Sequence, residues 1–504
     1  MVCGVSVESS EPLNVGVALE AVRRGLLEGD YDAIRPRLVE LLVQEPRLGQ
    51  GWVFLGELLE RTGEKYAAWK AFQRAWLLDP MANWVTEARR RLGTAEVVAL
   101  EPWLTDLLAV ESVSIAAAMI VKDEASNVAR WYESLRDAVD ELVVVDTGSS
   151  DGTVEVLRKL GVDVLKFGWT NSFAEARNFA LTHVKSQWVL WVDADEWLEP
   201  EDVEVPRVAA GLFHSLGVPL TLRIQQVNDL GGHIEVNGDM SRMHPVGFGF
   251  HWEGRIHEQL APGAGFVEGD GRIPRVAINL RLNHTGYHPT VMEQKAKLTR
   301  NIALLREAVS DDPSDLAAWG FLGRELLFAG EIDGAIDALY RAEFLARDAE
   351  WYGRRAEVRG FLIEALLRQE RVEEARAAAS RGVMDNPEFP GIWFLKGRVE
   401  LLAATKLMAS AKDAFEKAQT TAATYRGIVS FDALIPKWRA RAGLADLARF
   451  SGDLVAARRM YEGILKIEPG LSAVEAQIER IDQQARVLAS LLGEDSAKPT
   501  DPAG

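Results

Sequence analysis

Asp193 and Asp195 flank Ala194 directly after the apolar run QWVLWV at 187–192. If the chain is still extended there, residues i and i+2 point the same way and both carboxylates face one point. Convergent carboxylates are hard oxygen ligands for Mg²⁺ or Mn²⁺, and such an ion can in turn hold a diphosphate. A solvated acidic turn is the plainer alternative. A second acidic stretch, DTGSSD at 146–151, follows the run ELVVV. Asp146 there is placed to accept a hydrogen bond from a ligand such as a base N–H, while Ser149 or Ser150 could cap a following helix. Lys122-Asp123-Glu124 closes a third apolar run, and all eight histidines lie between His183 and His288.

These clusters need a frame that brings them together. SVSIAAAMIV at 112–121, 141–146, 162–167 and 187–193 read as short strands, and 125–138, 151–160 and 173–184 carry helical spacing. Strands alternating with helices at that interval predict a parallel sheet with helices on both faces. Ligands in such sheets bind beyond the C-terminal strand ends, where the three acidic clusters gather. No G-x-G-x-x-G or Walker sequence follows a strand, which removes the main support for a dinucleotide or P-loop site. From about residue 218 the chain becomes β-rich and Gly-rich, which suits an acceptor-side subdomain.

The flanks have another period. Trp52, Leu55, Gly56, Leu59, Ala68, Phe72, Ala75 and Pro80 fall at the spacings of a tetratricopeptide repeat, a helix pair whose small residues let the helices cross closely. Residues 15–46 read as a degenerate preceding pair. The pattern returns at Trp319, Leu322, Gly323, Leu326, Ala335, Leu339 and Ala342. Weaker copies follow at Leu362, Ala375 and Pro387, at Trp393, Gly397, Ala411, Phe415 and Ala418, and at Leu444, Ala445, Ala457, Tyr461 and Pro469. Their place in the repeat makes Trp52, Trp319 and Trp393 core residues rather than a ligand-binding stripe. The expected division is 13–110 helical repeats, 112–290 the α/β domain, 291–490 further repeats and 491–504 a disordered tail.

Composition narrows the classes. The chain of 504 residues carries 57 Lys+Arg against 75 Asp+Glu, a net −18, with no basic run, so a nucleic-acid partner is not expected. Residues 111–290 hold 26 acidic and 15 basic residues, hence −11 of that charge. An acidic site meant for an anionic diphosphate requires a cation between them. The single Cys3 excludes a disulfide framework and a cysteine zinc site, compatible with a reducing compartment. Neither a signal peptide nor a membrane span is expected.

Val113–Glu124 (VSIAAAMIVKDE), VVVDTGSSDGT at 143–153, FAEARNFAL at 173–181 and WVLWVDADEWL at 188–198 resemble, in order, family 2 glycosyltransferases of the GT-A fold. Arg242-Met243, GRIHEQL at 254–260 and Asn283-His284-Thr285-Gly286-Tyr287 extend the likeness to a branch in which tetratricopeptide repeats recur, peptide S-glycosyltransferases of bacteriocin pathways among them. The resemblance implies a Rossmann-like, mostly parallel catalytic sheet flanked by all-α repeats, and an inverting transferase using a nucleotide-diphospho-sugar, most simply a UDP-sugar. Glu124 and Asp146 would contact the nucleoside, and Arg177 and Asn178 the nucleotide or its phosphates. Asp193 would lie towards the ribose or sugar, and Asp195 would bind the Mg²⁺ or Mn²⁺ with His284 as a further ligand. An inverting transferase needs a base on the acceptor side, with Glu258 the first choice and His257 the second. His183, His214, His233, His244, His251 and His288 take structural roles in this reading.

Relatives often have R-L-F-R where this chain has Arg242-Met243-His244-Pro245, so acceptor identity is not carried over. The resulting expectation is a cytoplasmic, metal-dependent enzyme whose repeats hold a peptide or protein acceptor or support a homodimer. A lipid-linked or free saccharide acceptor, or a catalytically inactive repeat scaffold, are the alternatives.

Overall fold

The computed structural model describes residues 14–229, 233–261, 263, 273–284, 291–349 and 352–495. The chain forms two compact units that divide after Arg355. The first opens with helices α1 (Val15–Glu28), α2 (Tyr31–Gln44), α3 (Gly49–Arg61), α4 (Lys65–Leu78), α5 (Val85–Leu92) and α6 (Pro102–Leu108). Asn14 caps α1 by accepting from Val17 N–H at 3.2 Å, and Gly29 ends it in the left-handed region. Gly56 shows why the repeat needs a small residue at this crossing: a Cβ there would lie 2.7 Å from the Phe72 ring.

The α/β domain follows, with β1 (Ile115–Val121), α7 (Val128–Leu135), β2 (Glu141–Asp146), α8 (Thr153–Lys159), β3 (Val164–Lys166), α9 (Phe173–Leu181) and β4 (Trp188–Trp191). These four strands pair in parallel in the order β3-β2-β1-β4. Their continuous apolar sequences reflect burial on both faces. Ile115, Ala117 and Met119 of β1 join Trp131 of α7, Leu157 of α8 and Trp188 in one core layer. Ala116 and Ala118 point into the other, with Ala174 and Ala180 of α9 and Trp191. This is the period-two alternation of a strand serving two layers.

The remaining strands enlarge the same sheet rather than form a separate subdomain. They are β5 (Glu196–Leu198), then after α10 (Val205–His214) β6 (Thr221–Asp229), β7 (Ile234–Pro245) and β10 (Arg275–His284). Among the described residues the sheet has eight strands in the order β3-β2-β1-β4-β7-β6-β10-β5, and β8 (His251–Glu253) pairs with β9 (Gln259–Ala261) outside it. β7 runs antiparallel to β4, and β5 antiparallel to β10 with Glu196 opposite His284.

Helices α11 (Val291–Asp311), α12 (Leu316–Ala329) and α13 (Ile332–Leu345) complete the first unit. Gly323 repeats the role of Gly56, since a Cβ there would lie 2.4 Å from Leu339. The second unit contains α14 (Arg355–Arg368), α15 (Val372–Asp385), α16 (Pro390–Thr424), α17 (Ala440–Phe450), α18 (Leu454–Ile467) and α19 (Ser472–Asp495). The α/β sheet with flanking helical pairs is the fold class read from the sequence.

Two expectations are corrected here. The copy built on Trp393 is not a helix pair: α16 is one helix of 35 residues. Its middle, LLAATKLMASAKDAF at 401–415, has no Gly, Pro or Asn to break it. A Cβ at Gly397 would accordingly meet nothing within 4 Å. Trp393 is half exposed, not core, whereas Trp52 is fully buried. All three repeat tryptophans nevertheless donate their indole N–H to a proline carbonyl six residues earlier, at Pro46, Pro313 and Pro387. Helix α19 also runs past residue 491, where the tail was expected to start; residues 496–504, like Cys3, lie outside the described residues. No described helix is long and apolar enough to cross a membrane.

Candidate active site

The ends of β1 and β2 are joined side chain to backbone. Asp123, at φ +55°, donates its N–H to Ser149 Oγ and accepts from Ser150 N–H at 2.7 Å. Glu124 N–H donates to Thr153 Oγ1 and Ala125 N–H to Asp151 Oδ2. Neither Ser149 nor Ser150 caps α8; Gly152, in the left-handed region, precedes the helix and Asp151 accepts from Thr153 N–H. The serines are held by Asp123 instead. Asp146 is buried and accepts from the N–H groups of Gly148 and Ser149, so its own loop fixes the carboxylate. Burial raises the Glu124 pKa, aided by the charges of Asp195, Asp151 and Asp123 and opposed by the Asn127 amide bonded to it at 2.7 Å.

Beyond β4 the chain turns, Glu196 N–H donating to Asp193 O at 3.0 Å. The period-two argument for Asp193 and Asp195 therefore fails, because it holds only for extended backbone. The two carboxylates take different partners. Asp193 accepts from Arg177 Nη2 on Oδ1 at 2.9 Å and from Arg242 Nη2 on Oδ2 at 2.5 Å. Burial works to raise its pKa, but the two guanidinium groups outweigh that and hold it well below the usual carboxylate range. Arg177 also donates through Nε to Glu258 at 2.6 Å, and its guanidinium lies 5.2 Å from the Trp191 ring and 5.0 Å from that of Trp252. Beneath it, buried His244 accepts from Trp191 Nε1 at 3.1 Å and donates through Nδ1 to Pro245 O, which keeps it neutral. Burial pushes its pKa down to about 4.

Glu196 is buried, accepts from Asp193 N–H and Gln226 Nε2, and has its pKa raised by burial. Arg242 Nη2 lies 3.4 Å from it. Arg242, Glu196 and Gln226 were not singled out as site residues from the sequence; only the Arg242-Met243 match pointed near them. Two nitrogens in this cluster, Arg177 Nη1 and Arg242 Nε, are buried without a hydrogen-bond partner among the described residues.

Asp195 takes a different partner. Its Oδ2 lies 3.1 Å from His284 Nε2, and that hydrogen bond raises the His284 pKa against the effect of burial. No group of three or more His, Cys, Asp or Glu side chains among the described residues is arranged to hold a metal. A carboxylate beside an imidazole still fits an ion that takes its remaining ligands from water and a diphosphate, as Mg²⁺ and Mn²⁺ commonly do.

The other expected residues divide. Asn178 spends both ends of its amide on the Trp252 backbone, at 2.8 and 2.7 Å. Glu258 points to Arg177, whereas His257, at φ +54°, points to α12, where its Nε2 lies 3.1 Å from Glu325 Oε1 and 2.9 Å from Arg324 Nη2. Burial would raise the Glu325 pKa, but the bonds from His257 and Arg324 bring it down to about 2. The structure thus brings Arg177, Asp193 and Glu258 into direct contact, pairs Asp195 with His284, and turns His257 elsewhere. His183 and His214 bond Phe179 O and Trp188 Nε1, His251 bonds Glu253, and His233 is exposed. His288, with Thr285-Gly286-Tyr287, lies outside the described residues.

Residues 117–205, the stretch that carries these strand ends, match the family model Glycosyl transferase family 2. This stretch is similar to family 2 glycosyltransferases, and tetratricopeptide-type helices accompany it in the chain. Among characterised sequences, the SPbeta prophage-derived glycosyltransferase SunS of Bacillus subtilis (strain 168) is 28% identical over 237 residues, 46% of this chain and 54% of SunS. The TPR repeat-containing protein Synpcc7942_0270 of Synechococcus elongatus is 42% identical over 84 residues, 17% of this chain and 21% of that protein. The chain therefore spans about half the length of SunS and less of the repeat protein. Of solved structures, Staphylococcus aureus TarS 1-349 in complex with UDP-GlcNAc shares 12% identity over 58% of this chain and 92% of that one, with a TM-score of 0.29.

Proposed function

We propose that the protein transfers a sugar from a UDP-sugar to a peptide or protein acceptor, with inversion and with a divalent cation. The observation that carries the reading is the Asp195–His284 pair, set where β4 leads out of the sheet and β10 ends, inside a family 2 glycosyltransferase domain. Bound there, Mg²⁺ or Mn²⁺ would supply positive charge to the departing diphosphate. The chain's own residues do the rest. Glu124 and Asp146, fixed by the zipped loops, present carboxylates to the nucleoside. Arg177 and Asn178 position the nucleotide or its phosphates, Arg177 held by Asp193 and Glu258 and Asn178 fixing Trp252 beside it. Asp193, locked by two arginines, faces the ribose or sugar.

Glu258 is the base. Held by Arg177 Nε at 2.6 Å, it accepts the acceptor's O–H or S–H proton as the new bond to the sugar forms and the bond to the diphosphate breaks. His257, committed to Glu325, is the weaker candidate.

We also propose that the segments 13–110, 112–290 and 291–490 act as distinct modules, the flanking repeats binding acceptor or a second copy, in a cytoplasmic setting that suits the single Cys. The test is a panel of UDP-sugars scored for binding and turnover with and without Mn²⁺, then peptide and glycan acceptors with the sugar that is used. Binding of no UDP-sugar in Mn²⁺ would return the inactive-scaffold reading. Transfer to glycans alone would replace the peptide acceptor.

A further inference from the structure

Residues Arg255–Glu258 are held from two sides. Towards the sheet, Arg255 O accepts from Phe173 N–H at the start of α9 at 2.8 Å, and Glu258 pairs with Arg177 of the same helix. Towards the repeats, the Arg255 guanidinium bonds Asp311 of α11 at 2.5 Å. His257 meets Glu325 and Arg324 of α12, its ring 4.7 Å from that of Phe321. Neighbouring residues thus reach opposite ways, and His257 adopts a left-handed backbone that β-carbon sterics disfavour.

A residue keeps such a conformation only where its surroundings over-determine it, and the surroundings here are unusual in their own right. Glu325 is a buried carboxylate among apolar residues of α12, where a leucine would pack more easily. Its other oxygen lies 3.4 Å from Asn301 Nδ2 of α11. The charge is therefore tied to both α11 and the loop, and one peptide unit separates that tie from the carboxylate expected to take the proton.

We infer that His257 and Glu325 are positioning residues for the base. Glu325 in the first helical pair after the sheet holds His257, and His257 sets where Glu258 stands against Arg177. The α11–α12 pair is then part of the transfer machinery as well as a platform for acceptor. This rests on the assignment of Glu258 as base, and the test separates the two.

Crystal structures of the full-length Glu325→Gln and His257→Gly variants are compared with turnover of UDP-glucose and UDP-GlcNAc, water as acceptor, and with UDP binding in MnCl₂ by calorimetry. Glycine suits φ +54°, so His257→Gly removes the side chain without opposing the turn. The expected result is a Glu258–Arg177 pair that opens in both variants, with UDP affinity and donor KM within about twofold of wild type and kcat lower by about 10–100-fold. An intact pair in both structures overturns the inference, as does loss of UDP affinity in parallel with kcat, which a merely structural role would give. If Glu258→Gln turns over like wild type, the base assignment fails. The structures alone then decide: an opened pair keeps the clasp and a closed one ends it.

Discussion

At Asp193 one carboxylate faces two buried guanidinium groups, with a buried glutamate and a neutral histidine close by. Two residues later Asp195 meets an imidazole, His284 Nε2, at 3.1 Å. The first end is built like an interior, with charges cancelled and nitrogens desolvated. The second joins a carboxylate to an imidazole, donor types that suit Mg²⁺ or Mn²⁺. A D-x-D sequence need not be one metal clamp. A turn after β4 lets two nearby acids take different partners, Asp193 a pair of arginines and Asp195 an imidazole.

Substitutions should break the two ends in different ways. The largest effect is expected from Asp195→Ala. Sugar transfer and Mn²⁺-dependent UDP binding should be lost by about a thousandfold or more. Its urea midpoint should stay close to wild type, and substantial turnover by a well-folded variant would remove Asp195 from the cation's site. Asp193→Ala should do the reverse first: it leaves Arg177 with Glu258 alone and Arg242 with Glu196 at 3.4 Å, and should cost about 3 kcal/mol in equilibrium urea unfolding. A variant as stable as wild type would show that the first end is wetter than its burial implies.

Acid gives the third test. Below the unfolded pKa of 6.5, the denatured chain takes up a proton at His244 that the folded protein refuses until about pH 4. Stability should therefore fall from pH 6.5 towards pH 4, by about 3 kcal/mol from this residue. The slope should shrink in His244→Gln. The smallest change is Ser172→Ala, which removes the hydroxyl that accepts from Glu175 N–H at the start of α9. Loss of that cap should lower stability by about 1 kcal/mol without altering UDP affinity.

The parallel half of the sheet was legible because its strands are short apolar runs ending in acids, and the observed β1 to β4 fall inside the expected segments. The other half was legible only as β-rich. Nothing local tells β7 to join β4 or β10 to lie beside β6, since those pairings are chosen by distant partners. Glu124, Asp146, Asp195 and His284 could be named from motif and strand position. Arg242 could not, because a single arginine on a strand carries no periodic signal until its carboxylate partner is located in space. The repeat template succeeded at Gly56 and Gly323, where a partner helix crosses, and failed at Gly397 because the chain after it offers no breaker.

The pairing of β5 with β10 also has a kinetic meaning. Asp195, just before β5, and His284, at the end of β10, are 89 residues apart in sequence, and these strands pair directly, Glu196 opposite His284. Contacts of that range form only after a long loop has closed, while helix pairs such as α3–α4 and α12–α13 assemble from neighbours. The would-be metal pair is thus a product of late, non-local chain closure. A nascent or partly denatured chain can carry folded helix pairs and still lack the Asp195–His284 pairing.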